Sequence, residues 1–267
     1  MPFIWRPEYS FQWMNYFPYS LLKGKHVSPV EKYELLYTQL KEGRLIGDEI
    51  SRQVPKLLTE NDFRLVHTDG YLKGLELLSS SYFGLFNGEN VIFPRLLDFA
   101  KASCEGTYEA ALLALNEKVI AMNLSGGFHH AFTDHEEGFC HLNDVAIAIR
   151  KLQYEKKIAK AMIVDCDVHH GNGNAAIFFN DPSVFTFDIY QADNYPTQKI
   201  KTDVAIALDS QEGIDDRRYM TELRGRLENA MDVFKPDIVF YLDGSDPLKD
   251  DRLGGFLLTH DGLKQRD

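Results

Sequence analysis

Four short apolar runs, Val119 to Leu124, Ala161 to Val164, Val184 to Phe187 and Ile238 to Leu242, each give way at once to polar residues of catalytic type. Runs this short and this apolar read as strands buried on both faces, the form that parallel sheets take. Longer amphipathic stretches lie elsewhere along the chain. Val30 to Leu45 has apolar residues at helical spacing, Glu60-Asn61-Asp62 opens a helix leading to Val66-His67, and the Ala- and Leu-rich Gly106 to Glu117 predicts a core-facing helix. Helices alternating with strands give the βαβ pattern, which predicts an α/β fold with a mainly parallel central sheet. No repeat or Ser/Pro-rich linker divides the 267 residues, so one domain over 1–267 is expected.

In open α/β sheets, ligands bind beyond the carboxyl ends of the strands. The first run is followed there by Ser125-Gly126-Gly127-Phe128-His129-His130, and the second by Asp165-Cys166-Asp167-Val168-His169-His170-Gly171-Asn172-Gly173. The third gives Asp188-Ile189-Tyr190 and the fourth Asp243-Gly244-Ser245-Asp246. Four such loops are expected to converge on one crevice.

Within Asp165-x-Asp167-x-His169 the alternate residues project to one side of an extended segment, so two carboxylates and an imidazole face a common point. Carboxylate oxygen and imidazole nitrogen suit Zn2+ or a similar divalent ion, and three protein ligands with an open position is the catalytic arrangement. One short segment cannot surround an ion, so a further ligand must come from another strand-end loop. Asp167, His169 and Asp246 are assigned to the metal, with Asp165 and Asn172 as supporting partners. His129 and His130 are assigned to proton transfer. A metal that lowers the pKa of water, together with an imidazole that accepts its proton, equips such a site to hydrolyse an amide.

An excess of 40 acidic over 29 basic residues, net charge -11, argues against a protein that holds a nucleic-acid backbone and suits a cationic ligand. Cys104, Cys140 and Cys166 have no paired spacing, which excludes a disulfide framework and predicts a reducing compartment. The N-terminus lacks a basic and apolar leader, and no run of about 18 apolar residues occurs, so a cytoplasmic protein with no membrane association is expected. The aromatic-rich N-terminal stretch, Trp5, Trp13 and Tyr16 to Tyr19, is expected to pack the first strand rather than rim a pocket.

Together, Gly126-Gly127-Phe128-His129-His130-Ala131, Gly138-Phe139-Cys140 with Asn143-Asp144, Asp165-x-Asp167-x-His169-His170-Gly171-Asn172-Gly173, and Gly244-x-Asp246-x4-Asp251-Arg252-Leu253-Gly254 resemble the zinc-dependent histone deacetylase family. Weaker matches run from Lys25-His26 and Glu31-Lys32-Tyr33 through Val66-His67-Thr68 and Tyr71-Leu72 to the last residues. Asp188-Ile189-Tyr190, where other classes usually have Ser-x-His, together with Asn172 and the Asp251-Arg252-Leu253-Gly254-Gly255 run, is most similar to class IV enzymes and their bacterial relatives.

The resemblance implies an arginase/deacetylase-like three-layer α/β/α fold and hydrolytic removal of acetyl or longer acyl groups from the ε-amine of lysine. It matches Asp167, His169 and Asp246 to the zinc ligands and His130 to the general base and acid. His129 matches the neighbouring histidine that tunes charge, with Asp165 and Asn172 as partners of the pair. Gly138, Phe139 and Tyr195 match the lining of a narrow tunnel for the acyl-lysine stem, although Phe139 and Tyr195 also read as core aromatics. The family further implies a potassium ion near Asp165, Asp167, His169 and Asp188. Fe2+ or Co2+ are alternatives to Zn2+. The family's oxyanion tyrosine, which follows a Gly-rich turn, has no counterpart before Asp267, so a C-terminally incomplete catalytic domain is expected. The alternatives are a deacetylase of acetylpolyamines or other small acetylated amines, and an acyl-lysine-binding form with impaired catalysis.

Overall fold

The computed structural model describes residues 1–9, 31–46, 57–79, 85–87, 90–92 and 95–267. Lys25-His26, Val30, Trp13 and Tyr16 to Tyr19 lie outside these. The chain falls into two compact units, Met1–Lys151 and Leu152–Asp267.

In the first unit, β1 (Phe3–Ile4) pairs in parallel with β4 (Met122–Asn123). The turn after β1 buries Tyr9, whose hydroxyl donates to Asn123 Oδ1 at 2.8 Å. Trp5 stacks on Tyr37 of α1 (Lys32–Glu42), with ring centroids 4.2 Å apart. The short α2 (Glu60–Phe63) is capped from within the sequence: Thr59 N–H donates to Asp62 Oδ2 at 2.6 Å. After α3 (Asp69–Ser79) comes an antiparallel pair, β2 (Leu85–Asn87) with β3 (Asn90–Ile92). The 22-residue α4 (Leu96–Glu117) is buried on more than one side over its first sixteen residues, through Phe99 and Tyr108 as well as Ala100, Ala102, Cys104, Ala110 and Ala111.

The apolar run Val119 to Leu124 is not the buried strand expected. Only Met122 and Asn123 pair, while Val119 and Ile120 are 38% and 77% exposed. The reason is local: α4 ends at Lys118 in the left-handed conformation, and the next residues are spent on the connection to β4.

Two buried histidines of this unit make stability depend on pH. Burial holds the His67 and His141 imidazoles down at about 4, against an ordinary 6.5, despite partial offsets from the backbone at Phe132 and Thr133 and from Glu136 respectively. His67 Nε2 accepts from Asn143 N–H at 3.0 Å, which requires the neutral ring nitrogen. The unfolded chain takes up these protons near 6.5 and the folded chain only near 4. Stability is therefore complete above pH 6.5 and falls as pH drops towards 4, by on the order of 3 kcal/mol per histidine. Melting temperature measured between pH 7.5 and 4.5 should fall across this window, more shallowly in His67→Gln; a flat profile would contradict the account.

α5 (Asp144–Tyr154) runs across the division between the units. In the second unit, β5 (Ala161–Asp165), β6 (Val184–Gln191), β7 (Val204–Leu208) and β8 (Ile238–Leu242) form a parallel sheet in the order β7-β6-β5-β8. β5 is buried along its whole length, while β7 and β8 alternate buried and exposed residues as edge strands do among the described residues. One face, with Met162, Val164, Phe187, Ile189, Ile206 and Leu208, forms a continuous core with Tyr219 and Leu223 of α7 (Asp216–Phe234) and with Phe256 and Leu258. Burial of this apolar face supplies the main driving force for the unit. The start of β8 is pinned to β5 by Asp237, whose carboxylate accepts from Ala159 and Lys160 N–H at 2.7 and 2.8 Å.

Register places Asp165 beside Asp188 on one side and Leu242 on the other. The segments Asp165–His169 and Asp243–Asp246 thus leave the same end of two adjacent strands, whereas Asp188-Ile189-Tyr190, expected to follow the third run as a loop, continue β6 as far as Gln191 because they pair with β7. The short α6 (Asn172–Ile177) follows the first of them, and α8 (His260–Arg266) closes the chain. Among the described residues, no helix is long and apolar enough to cross a membrane.

Candidate active site

β5 ends at Asp165, and the chain then bends. The extended segment expected through His169 is therefore absent, and the bend changes which side chains meet. Asp165 Oδ1 turns back to accept from Asp167 N–H at 3.2 Å, while Asp167 and His169 meet Asp246 from the end of β8. The potential ligand atoms of Asp167, His169 and Asp246 all lie within 4.8 Å of one another. Among the described residues, this is the one group of three His, Cys or acidic side chains so placed.

His169 Nδ1 stands 2.8 Å from Asp167 Oδ1 and 3.1 Å from Asp246 Oδ2. Backbone amides hold both carboxylates: Val168 N–H donates to Asp246 Oδ1 at 2.9 Å and His169 N–H to Asp167 Oδ1 at 2.8 Å. Such partners fix ligand orientation before any ion arrives. The two loops touch at Gly244, where a Cβ would enter the space of Asp167.

Burial, reinforced by the like charge of Asp167, holds the Asp246 carboxyl above the usual carboxylate range. Burial alone pulls the His169 imidazole down, but hydrogen bonding of its ring N–H to Asp167 and Asp246 overcomes this and raises His169 to about 9. Two carboxylates converging on one ring nitrogen thus gather positive charge there. The donor set of two carboxylates, one imidazole and no thiolate fits Zn2+ and the other first-row divalent ions.

Tyr195 packs edge-on to His169, with ring centroids 6.2 Å apart and planes at 70°. Its loop is anchored by Lys199 Nζ, which donates to the Asn194 and Pro196 carbonyls at 2.6 and 2.5 Å, and by Asn194 Nδ2, which donates to Leu253 O at 2.7 Å. Asn172 is buried at the start of α6, where its Oδ1 accepts from Gly173 N–H at 3.1 Å.

Deeper in the unit, Asp188 Oδ2 accepts from Gly171 N–H at 2.9 Å and lies 2.6 Å from His170 Nδ1. Ile200 N–H donates to His170 Nε2 at 3.0 Å, so the imidazole proton sits on Nδ1, facing Asp188. Burial, with a further contribution from Asp165, raises the Asp188 carboxyl above its ordinary range. Asp188 Oδ1 is buried without a hydrogen-bond partner among the described residues, a carboxylate oxygen that a cation would satisfy. Sequence reasoning gave His170 no role; its burial was not legible beside His169.

The remaining candidates belong to the first unit. His129 and His130 are each 4% exposed, with ring centroids 4.0 Å apart. Their loop is held by Asp144, the first residue of α5, which accepts from Gly127 N–H at 3.0 Å, Phe128 N–H at 2.8 Å and Thr107 Oγ1 at 2.6 Å. Asp144 was visible in the sequence only as part of a motif.

Gly138 and Phe139 are the central residues of a turn closed by Cys140 N–H donating to Glu137 O at 2.8 Å. Both have positive φ, 51° and 66°, as a type I′ turn requires. A bulky residue held in this region stores roughly 1–3 kcal/mol of strain, tolerated only where the surroundings over-determine it. Gly138 is required for a second reason: a Cβ there would overlap the His130 ring. Gly138→Ala is accordingly expected to displace His130 and lower kcat about 10²-fold, the scale of a 1 Å misplacement. Turnover and circular dichroism of the variant check this; a folded Gly138→Ala protein with unchanged kcat would contradict it.

The histone deacetylase domain family matches residues 26–267 of the chain. An uncharacterized protein of Picosynechococcus sp. is 36% identical over 271 residues, covering 100% of this chain and 84% of that protein. Histone deacetylase 6 of Arabidopsis thaliana is 32% identical over 235 residues, 80% of this chain and 49% of its own length. Histone deacetylase 1 of Homo sapiens is 32% identical over 216 residues, 73% of this chain and 44% of its own. The matched regions thus span about half of each of these two named deacetylases. The crystal structure of the HDA15 HD domain superposes with a TM-score of 0.78 at 22% identity, covering 90% of this chain and 74% of that one. This likeness is one of fold, and it bears out the three-layer α/β/α architecture with a mainly parallel sheet.

Proposed function

The chain belongs to the histone deacetylase family, and from that premise we propose that it is a metal-dependent hydrolase removing acyl groups from the ε-amine of lysine. The observation that carries the reading is the Asp167, His169 and Asp246 cluster at the ends of adjacent parallel strands. A divalent ion held there, Zn2+ in the first instance and Fe2+ or Co2+ as alternatives, would supply a water of lowered pKa and polarise the amide carbonyl.

The chain's own residues then divide the remaining work. His130 takes a proton from the attacking water and returns it to the leaving amine, the role its motif position carries in the family. His129 beside it adjusts the charge of the pair, with Asp165 and Asn172 assigned as their supporting partners. Gly138, Phe139 and Tyr195 are assigned to the walls of the passage for the acyl-lysine stem, for which an apolar, aromatic lining suits a methylene chain. The edge-on packing of Tyr195 against His169 supports its part in this. A potassium ion near Asp165, Asp167, His169 and Asp188 is supported by the unpartnered Asp188 Oδ1. The family match running from 26 to 267 supports treating both units as one catalytic domain.

Acid release from peptides carrying acetyl-, octanoyl- and myristoyl-lysine, set against acetylpolyamines, tests the substrate class. A kcat/KM at least tenfold higher on one of the peptides is the expected result. Preference for the acetylpolyamine, which the net charge of -11 would favour electrostatically, would replace acyl-lysine by a small cationic substrate.

A further inference from the structure

Arg266, the last residue of α8, has a side chain only 1% exposed. Taking a guanidinium out of water costs several kcal/mol unless it is paired and its donors are satisfied. The guanidinium makes four hydrogen bonds and one further ion-pair contact. Nη1 donates to Gly244 O at 2.7 Å and to Cys166 O at 3.2 Å, and Nη2 donates to Asp243 O at 2.9 Å. Nε donates to Asp267 Oδ1 at 2.8 Å, and Nη2 lies 2.8 Å from the same oxygen.

The three carbonyls belong to the two loops that carry the metal-type ligands. Cys166 sits between Asp165 and Asp167, and Asp243-Gly244 leads into Asp246. Cys166 N–H donating to Leu242 O at 2.9 Å is the continuation of the β5–β8 ladder past the end of β5. Beyond it the ladder ends, and Arg266 joins the two loops through their carbonyls where strand pairing no longer does.

α8 is itself fixed. Thr259 caps it by accepting from Gly262 N–H at 3.0 Å, and donates through N–H and Oγ1 to the Asp216 carboxylate of α7 at 2.8 and 2.7 Å. Tyr241 of β8 donates to Asp267 Oδ1 at 2.5 Å. The guanidinium is thus held from a rigid element against two loops. Planar, forked donors reach three carbonyls at once, which a lysine ammonium cannot do in the same geometry.

We infer that Arg266 is a positioning residue that sets the spacing of the Asp167 and Asp246 carboxylates and thereby the affinity of the site for its divalent ion. The inference rests on the metal-site reading above, and its test separates the two. Zinc affinity of the 267-residue chain is measured by competition with a chromophoric chelator, alongside melting of the metal-free protein. Asp246→Ala serves as the control for the site.

Arg266→Lys is expected to keep the parental fold with a moderately lowered metal-free melting temperature, yet bind zinc about 10–100-fold more weakly, the usual effect of losing a ligand's outer partner. In Arg266→Ala, millimolar guanidinium chloride should recover affinity where the same concentration of sodium chloride does not. Parental zinc affinity in Arg266→Lys would overturn the inference, and it decides the matter even if Arg266→Ala fails to fold. Affinity lost only in proportion to a lowered metal-free melting temperature, and not recovered by guanidinium, would also overturn it. If the parent chain binds zinc no better than Asp246→Ala, the metal reading itself fails and the inference falls with it.

Discussion

Asp246→Ala is expected to abolish turnover and to weaken zinc binding by more than the roughly 10–100-fold that loss of an outer partner costs. On the proposed reading the variant removes a ligand rather than its support. Its effect on the metal-free fold should be modest, because relief from burial and from the like charge of Asp167 offsets loss of the acceptor for Val168 N–H and of the partner of His169. The parent should gain stability from zinc, about 4 kcal/mol at a thousandfold excess over Kd, and the variant should gain little. Thermal unfolding with and without zinc checks both halves. Equal zinc-induced stabilisation of the two proteins would remove Asp246 from the site.

A second large effect is expected at Asp144. This buried carboxylate accepts from Thr107 Oγ1 of α4 and from Gly127 and Phe128 N–H in the loop that presents His129 and His130. Asp144→Ala leaves all three donors without that acceptor, at about 1–3 kcal/mol each. A loss of roughly 4 kcal/mol or more places it among the severe single substitutions. Asp144→Asn retains an acceptor oxygen and should cost less than half as much. Turnover of Asp144→Ala should collapse even below its unfolding transition, because the loop that orients His130 is no longer tied to α5. Urea unfolding and kcat measured together would contradict this account if Asp144→Ala lost under 1 kcal/mol and kept its activity.

Much of this was legible in the sequence. Ile238–Leu242 is the strand expected at those residues, and Ala161 to Val164 lengthens only by Asp165. Both are apolar runs with sharp polar ends, the pattern that buried parallel strands impose. β7 went unread because Val204–Leu208 is a half-exposed edge strand rich in alanine, a residue with little strand preference. α4 begins ten residues before the expected Gly106, because Asp98, Lys101 and Glu105 interrupt the apolar pattern. Glu105 is buried all the same, accepting from Leu57 and Leu58 N–H at 2.7 and 3.0 Å, a tertiary fact that no periodicity reports.

At the site, residue types and loop positions were enough to bring Asp167, His169 and Asp246 together. The assumed extended geometry was wrong: a bend after β5 brings Asp167 and His169 to Asp246, while Asp165 binds the backbone of Asp167. The supports were the least visible. An arginine in the last turn of a helix reads as an ordinary partner of the helix dipole, and nothing local marks Arg266 as buried against two strand-end loops. Asp144 likewise resembles a residue favoured near a helix N-terminus, and only the tertiary structure shows which amides it holds.

The most direct measurement is acid release from an acylated-lysine peptide by the metal-free chain as zinc is added back stepwise, with Asp167→Ala in parallel. The account predicts turnover that rises with zinc to a plateau at one ion per chain and stays absent throughout in Asp167→Ala. Hydrolysis that persists without metal or survives in Asp167→Ala, or a chain holding one zinc that releases no acid, would contradict it.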